Sequence, residues 1–175
     1  MAHRTIEPKV LYFGTPVVLV STLNPDGTAN LAPMSSAWWL GPWCMLGFGA
    51  RSQTPANLIR AGECVLNLPC PAQAASVDAI ALFTGTETVP PHKLGRGYRY
   101  EPHKFQRAGL TAVESVQVSP PRVRECPIQL EAVLEQTHQF GTPDAGLIAM
   151  QVRVVQTHVE EDLCLGALRY VERSC

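Results

Sequence analysis

The sequence predicts a mostly β protein with short helices, arranged as an antiparallel barrel, and three observations point there. First, two long stretches near the C-terminal end alternate between apolar and polar residues. Ile128, Leu130, Ala132 and Leu134 share one face opposite Gln129, Glu131 and Glu135; Ile148, Met150, Val152 and Val154 do the same opposite Gln151 and Arg153. Second, Asn24-Pro25-Asp26-Gly27 is a strong turn signal, because proline presets one backbone angle and glycine accepts a positive one. Third, helix-period segments are short and few. Strands at hairpin spacing therefore dominate, and a parallel nucleotide-binding fold is disfavoured.

Pro16 to Leu23 is nearly all apolar and rich in valine, which suits a strand covered on both faces. Thr28 to Leu31 returns after the turn as the second strand, and Trp43 to Phe48 supplies a third. The next segment changes character. Thr54 reads as an N-cap, Pro55 as the first helical residue and Gly62 as the C-terminal cap, which predicts a helix from Pro55 to Ala61. Glu63 to Leu68 is a strand with Cys64, Leu66 and Leu68 on one face. Pro71 to Leu82 reads as helical, with Ala74, Val77, Ile80 and Ala81 on one stripe. Val89 to Gly109 is irregular, with Pro90-Pro91, several glycines and five Lys/Arg; it reads as a long functional loop or a small helical excursion.

The length, 175 residues, fits one domain over residues 1–175 with a real hydrophobic core. A net charge of −1 recruits neither nucleic acid nor an anionic membrane. The longest apolar stretch, Ala37 to Ala50, is too short to span a bilayer and is broken by Gly41 and Pro42. Met1 to Lys9 is charged, with no apolar signal-peptide core behind it, so a cytoplasmic setting is expected. The six cysteines, Cys44, Cys64, Cys70, Cys126, Cys164 and Cys175, form no C-x-x-C pair. They read as small buried apolar residues plus an exposed terminal one rather than as a zinc site, redox dithiol or disulfide scaffold. A charged fraction of 17% agrees with a subunit whose apolar faces are covered by a partner.

The chemically informative stretch is Asn30 to Asn67. Ser52, Thr54 and the free N–H groups opening the Pro55 helix make a site for an anion, and phosphate is its natural occupant. Arg51 adds charge of the right sign. Ala32-Pro33-Met34-Ser35-Ser36 is small and polar between two strands, a place where a flat heterocycle could meet backbone N–H and C=O groups. The plain alternative is that these serines and Thr54 only cap turns and a helix.

Ser35-Ser36 after the first hairpin, Ser52-Gln53-Thr54 opening a helix and Val65-Leu66-Asn67-Leu68 in a strand follow one another in the order and spacing seen in the flavin reductase-like family, which the chain resembles. Phe83-Thr84-Gly85, the H-K-L-x-R-G-Y segment from His92 to Tyr98 and A-G-L from Ala108 are similar to one branch of it. The resemblance runs over residues 11–160 and implies the FMN-binding split barrel as the fold and FMN as the cofactor, with FAD as the other flavin to consider. It also implies a homodimer, because in this fold the flavin lies in a cleft completed by the second subunit. It puts Ser35 and Ser36 near the isoalloxazine, and Ser52, Thr54 and Asn57 near the ribityl phosphate. Pro33, Met34, Ala50, Arg51 and Lys93 complete the cofactor-binding candidates. There are two departures. Where nicotinamide-using relatives carry Gly-Asp-His, this chain has Pro143-Asp144-Ala145-Gly146, so NAD(P)H use rests on weaker ground than FMN. The chain also stops soon after Glu161-Asp162, where relatives in this branch continue, so part of a cleft or dimer contact is expected to be absent or rebuilt.

Trp38, Trp39 and Trp43 read as core or interface anchors before they read as flavin-stacking groups. The basic run His92, Lys93, Arg96, Arg99, His103, Lys104 and Arg107 is either a loop gripping a phosphate or acidic substrate, or a solvated face; Lys93 is its functional candidate. His138 and His158 have no partners at metal spacing, and no catalytic acid or base stands out. Two functions are consistent with this pattern. One is an FMN-dependent oxidoreductase that takes hydride from reduced nicotinamide and serves a partner oxygenase or a small organic substrate. The other is a flavin- or small-ligand-binding dimer without reductase turnover.

Overall fold

The turn signal near the N-terminus forms its hairpin. In the computed structural model, which describes residues 14–165 and 170–171, β1 (Val18–Leu23) pairs antiparallel with β2 (Ala29–Met34). The Asn24 amide donates to the Thr28 carbonyl and the Gly27 amide to that of Asn24, with Gly27 at a φ of 82° that a side chain would resist. β2 runs on past Leu31 to Met34, and Pro33 is tolerated because β2 is an edge strand. β3 (Ala37–Leu40) and β4 (Trp43–Gly49) form the next hairpin. Alternation misses β3 because Ala-Trp-Trp-Leu is apolar on both faces.

α1 (Gln53–Ala61) ends at Gly62 as expected, with Gly62 left-handed at φ 74°. Its start differs from the sequence expectation. Ser52 is the N-cap, and Thr54 and Pro55 are the second and third helical residues. Proline is still at home there, because first-turn N–H groups have no intrahelical acceptor. β5 (Glu63–Leu68) follows, then a short turn over Pro71–Gln73 and α2 (Ala74–Ile80). The predicted stripe on α2 is only half realised: Ile80 is buried and Val77 half-buried, but Ala74 and Ala81 are exposed. β6 (Phe83–Thr84) precedes the irregular region, which holds α3 (Pro91–Leu94), β7 (Arg99–Tyr100) and α4 (Lys104–Ala108), a small helical excursion. β8 (Ala112–Val113) pairs with β9 (Arg122–Val123). The two long alternating stretches are β10 (Ile128–Phe140) and β11 (Leu147–Val159), paired with irregularities at Glu131/Ala132 and Leu134/Gln136 that bend them.

The main sheet has seven strands in the order β2-β1-β5-β10-β11-β4-β3, all antiparallel. Its inner face closes on one core in which Val18 and Val20 of β1, Leu46 and Phe48 of β4, Leu66 of β5 and Met150 and Val152 of β11 all pack with Leu58 of α1. A sheet can bring its two ends to one core only by curling into a barrel. The outer faces of β1 and β2 are covered by α2 and α4 through a second cluster of Leu19, Leu31, Ile80, Ala108 and Leu110. Coverage on both sides is why β1 is mostly apolar, with its two polar residues, Ser21 and Thr22, buried as well. Cys44, Cys64 and Cys126 are buried free thiols, while Cys70 and Cys164 are half-buried; Cys175 lies outside the described residues. Burial pushes the Cys44 and Cys126 thiols up to about 12, so they are inert packing groups.

Candidate functional site

The site begins where β4 hands the chain to α1. The Ser52 amide donates to the Gly49 carbonyl at 3.0 Å, which turns the chain sharply into the helix. The Ser52 hydroxyl makes no cap bond to the helix; it accepts one from Lys93 Nζ at 3.2 Å. Gln53 and Thr54 stand in the first helical turn, where amides lack intrahelical acceptors, and no acidic residue sits in that turn. An ammonium, a hydroxyl and the positive end of a helix therefore meet at one point. Burial lowers the Lys93 ammonium from its ordinary range, and the Tyr98 ring lies 5.7 Å from it.

Beside this entry lies a buried polar network. Asn30 Nδ2 donates to Thr22 Oγ1 and Thr54 Oγ1, each at 3.2 Å, and Asn30 Oδ1 accepts from Lys104 Nζ at 3.1 Å. Asn57 Nδ2 donates to Thr22 Oγ1 and Asn24 Oδ1, and Gln53 Nε2 to Asn57 Oδ1. Gly85 closes over the network: a Cβ there would stand 2.4 Å from Asn30 Oδ1 and 3.1 Å from Gln53 Cγ. Lys104 is 3% exposed. Burial first, and the charge of Lys93 second, push its ammonium down to about 8, with Glu101 opposing them.

A second face adjoins the first. The Gly47 amide donates to the Ser36 carbonyl at 2.8 Å, and a Cβ on Gly47 would strike that of Ser36 at 2.9 Å. A Cβ on Gly49 would touch Ser52 Oγ at 3.4 Å. Residues two apart on a strand share a face, so Gly47 and Gly49 let Ser36 and Ser52 close onto the β4 backbone on one side.

The sequence candidates thus fall into groups. Ser36, Ser52 and Lys93 border this part of β4 and the helix entry. Thr54 and Asn57 are buried behind it with their side chains turned into the network. Met34 packs against the barrel core, and Pro33 and Ser35 are half-buried along the same connection. The Ala50 amide donates to the Gly146 carbonyl at 2.8 Å, and Arg51 is exposed beside Ser52. Of the basic run, Arg96, Arg99 and His103 face solvent, while Arg107 covers the Phe83 ring at 3.7 Å. Asn67 is structural: it donates to the Leu19 carbonyl and accepts from the Val123 amide. Asn30 and Lys104 carry much of the network; the sequence places Lys104 in the basic run, and Asn30 at the start of the informative stretch, without singling out either. The one available signal was a lysine sharing the helical face of Ala108, four residues on, where α4 is buried.

Among the described residues, no group of three or more His, Cys, Asp or Glu could hold a metal ion. No helix among them is long and apolar enough to cross a membrane. A family model described as "Flavin reductase like domain" matches residues 10–174. An uncharacterized protein of Bacillus subtilis (strain 168), YdfE, is 39% identical over 162 residues, which cover 93% of this chain and 78% of that one. Nitrilotriacetate monooxygenase component B from Bacillus cereus superposes with a TM-score of 0.75 at 25% identity, covering 97% of this chain and 87% of the other. Flavoredoxin of Desulfovibrio vulgaris (Miyazaki F) superposes with a TM-score of 0.78 at 19% identity, covering 97% and 82% respectively.

Proposed function

The chain belongs to the flavin reductase-like family, and from that premise we propose that it is an FMN-binding oxidoreductase working as a homodimer. The observation that carries this reading is the open entry of α1, where the Ser52 hydroxyl faces Lys93 rather than its own helix. The donor set fits a phosphate: an ammonium, a hydroxyl and first-turn amides, with no acid in the turn. The side-chain-free β4 backbone at Gly47 and Gly49, with Ser36 and Ser52 close against it, supports placing the flat ring that such a phosphate would anchor along this connection. When bound, FMN supplies a two-electron carrier that can accept and pass on a hydride. The protein's part is to grip the phosphate with Ser52 and Lys93, to present backbone groups near Ser35 and Ser36 to the ring, and to leave one ring face open to a donor. NADH or NADPH is the proposed donor. Likeness to a monooxygenase component at 25% identity supports a partner oxygenase as recipient of the electrons; a small organic substrate is the other.

One observation favours a second reading, a flavin-binding dimer without reductase turnover. Where a Gly-Asp-His element would stand, Pro143–Ala145 forms a tight turn with no histidine, and Gly146 ties it to Ala50 beside the site. One experiment separates the two. Purified protein is titrated with FMN by visible absorption and then given NADH or NADPH without oxygen. A bound-flavin spectrum that bleaches supports the reductase, and one that stays oxidised supports the second reading. No spectral change on titration removes both. Ser52→Ala combined with Lys93→Met should raise the Kd for FMN about tenfold or more, the worth of one or two charge-assisted hydrogen bonds.

A further inference from the structure

Lys104 is a buried charge that a phosphate held by Ser52 and Lys93 alone does not use. Its ammonium reaches Asn30 Oδ1 at 3.1 Å, its one hydrogen bond among the described residues. Among the described residues no carboxylate closes on it. Glu101, the acid whose charge is felt there, is engaged by Arg107 at 3.6 Å and by the His103 amide at 2.9 Å. The charge of Lys93 is felt there too, and opposes that of Lys104. A lysine buried without a counterion and beside a like charge bears both desolvation and repulsion. An anion within reach of both ammonium groups relieves both penalties. A phosphate monoester, carrying close to two negative charges at neutral pH, balances two cations where a diester carries one charge per phosphorus.

The arm that links Lys104 to the helix entry is held rigidly. Lys104 fixes Asn30 Oδ1, which leaves Asn30 Nδ2 to Thr22 and Thr54, and Thr54 is the second residue of α1. Gly85 packs against Asn30 so closely that a Cβ there would stand 2.4 Å from its Oδ1. We infer that Lys104 is the second cation and positioning residue of this phosphate site, and that through Asn30 it makes the site selective for a dianionic phosphate monoester. The inference rests on reading the Ser52–Lys93 entry as a phosphate site.

The test is fluorescence titration of FMN, FAD and riboflavin into the full-length apoprotein and into Lys104→Met, which keeps length and removes charge. The wild type should prefer FMN to both other ligands. In Lys104→Met the FMN-to-riboflavin preference should fall about tenfold or more, while riboflavin affinity moves less than about twofold. Equal losses for both ligands would make Lys104 a purely structural residue, and an unchanged preference would make it blind to phosphate; either overturns the inference. If Lys104→Met does not fold, Asn30→Asp serves instead. It sets a carboxylate of the same size against Lys104, and the preference should fall with riboflavin binding intact; an unchanged preference again overturns it. A wild type that binds FMN and riboflavin equally would strike the phosphate site itself, a result distinct from all of these.

Discussion

A lysine that is buried without an acid makes stability depend on pH in the opposite sense to a salt-bridged one. Lys104 is pushed from 10.5 down to about 8, by burial first and then by Lys93. Between those values the unfolded chain holds more protons than the folded one, so this group's contribution to stability rises with pH across that window. Below it, Lys104 carries a charge the fold disfavours. The buried thiols act the other way. Cys44 and Cys126 are raised from 9.0 to about 12, so above the lower value the folded state keeps protons the unfolded chain has lost, and stability falls. The comparison of apoprotein with Lys104→Met isolates the lysine. The variant should melt higher near neutral pH, and the gap should shrink as pH rises through about 8 towards 10.5. A gap that stays constant in thermal melts from neutral to alkaline pH would mean the lysine is not depressed. Glu131 shows the ordinary acid case. Burial works to raise its carboxyl, but amide bonds from Val116 and Gln117, with His158 Nε2 at 2.7 Å, outweigh it and hold it low. Its contribution is therefore present above the unfolded carboxyl range and is lost as pH falls. Glu131→Gln should cost about 1–3 kcal/mol and loosen residues 116–118, read as faster amide hydrogen exchange there.

At the scale of elements, the site depends on a loop that two strands and a helix must accommodate. Gly85 follows β6 and lies against Asn30 of β2 and Gln53 of α1. Gly85→Ala would drive a methyl into both, so it should cost about 1–3 kcal/mol and weaken FMN more than riboflavin. Unaltered melting and binding would show that the loop gives way. How legible each element was follows from the range of the forces that fix it. The β1–β2 turn is set by residues inside it, and the long strands by their own alternation, so both could be read in advance. The end of α1 was legible because Gly62 is a local signal. Its start was not, because Ser52 is chosen as N-cap by the turn from Gly49 and by Lys93, which lies 41 positions away. β3 was hidden because its two faces are both apolar, one turned to the core and one outward. Asn30 and Lys104 meet across 74 positions, and neither residue type announces that contact. The parts of the site on the β4–α1 connection could be read, and the parts that converge on it from α4 could not.

On the scale of the whole molecule, the described residues leave one face of the barrel without cover. Trp38, Leu40 and Trp43 are 57%, 73% and 43% exposed on β3 and β4. Cross-strand partners share a face, and the register sets Leu40 opposite Trp43 and Trp38 opposite Met45, so these side chains form one patch rather than scattered exposures. At its rim Trp43 Nε1 donates to Glu135, which also pairs with Arg153 at 2.6 Å, giving a polar border of the kind interfaces have. Gly47 and Gly49 follow Trp43 and Met45 on the same side of β4, so a body seated on the tryptophans would also roof the ring side of the proposed flavin site. A second copy of the chain would meet both needs at once, and this face is where the proposed homodimer would form. Sedimentation of the purified protein should give the mass of two chains. Trp38→Glu should give one chain, melt cooperatively, and bind FMN at least about tenfold more weakly, since burying a carboxylate in that contact is strongly disfavoured. A variant that stays dimeric would move the contact off this face. A monomer that holds FMN as tightly as the wild type would show that each chain completes its own cleft.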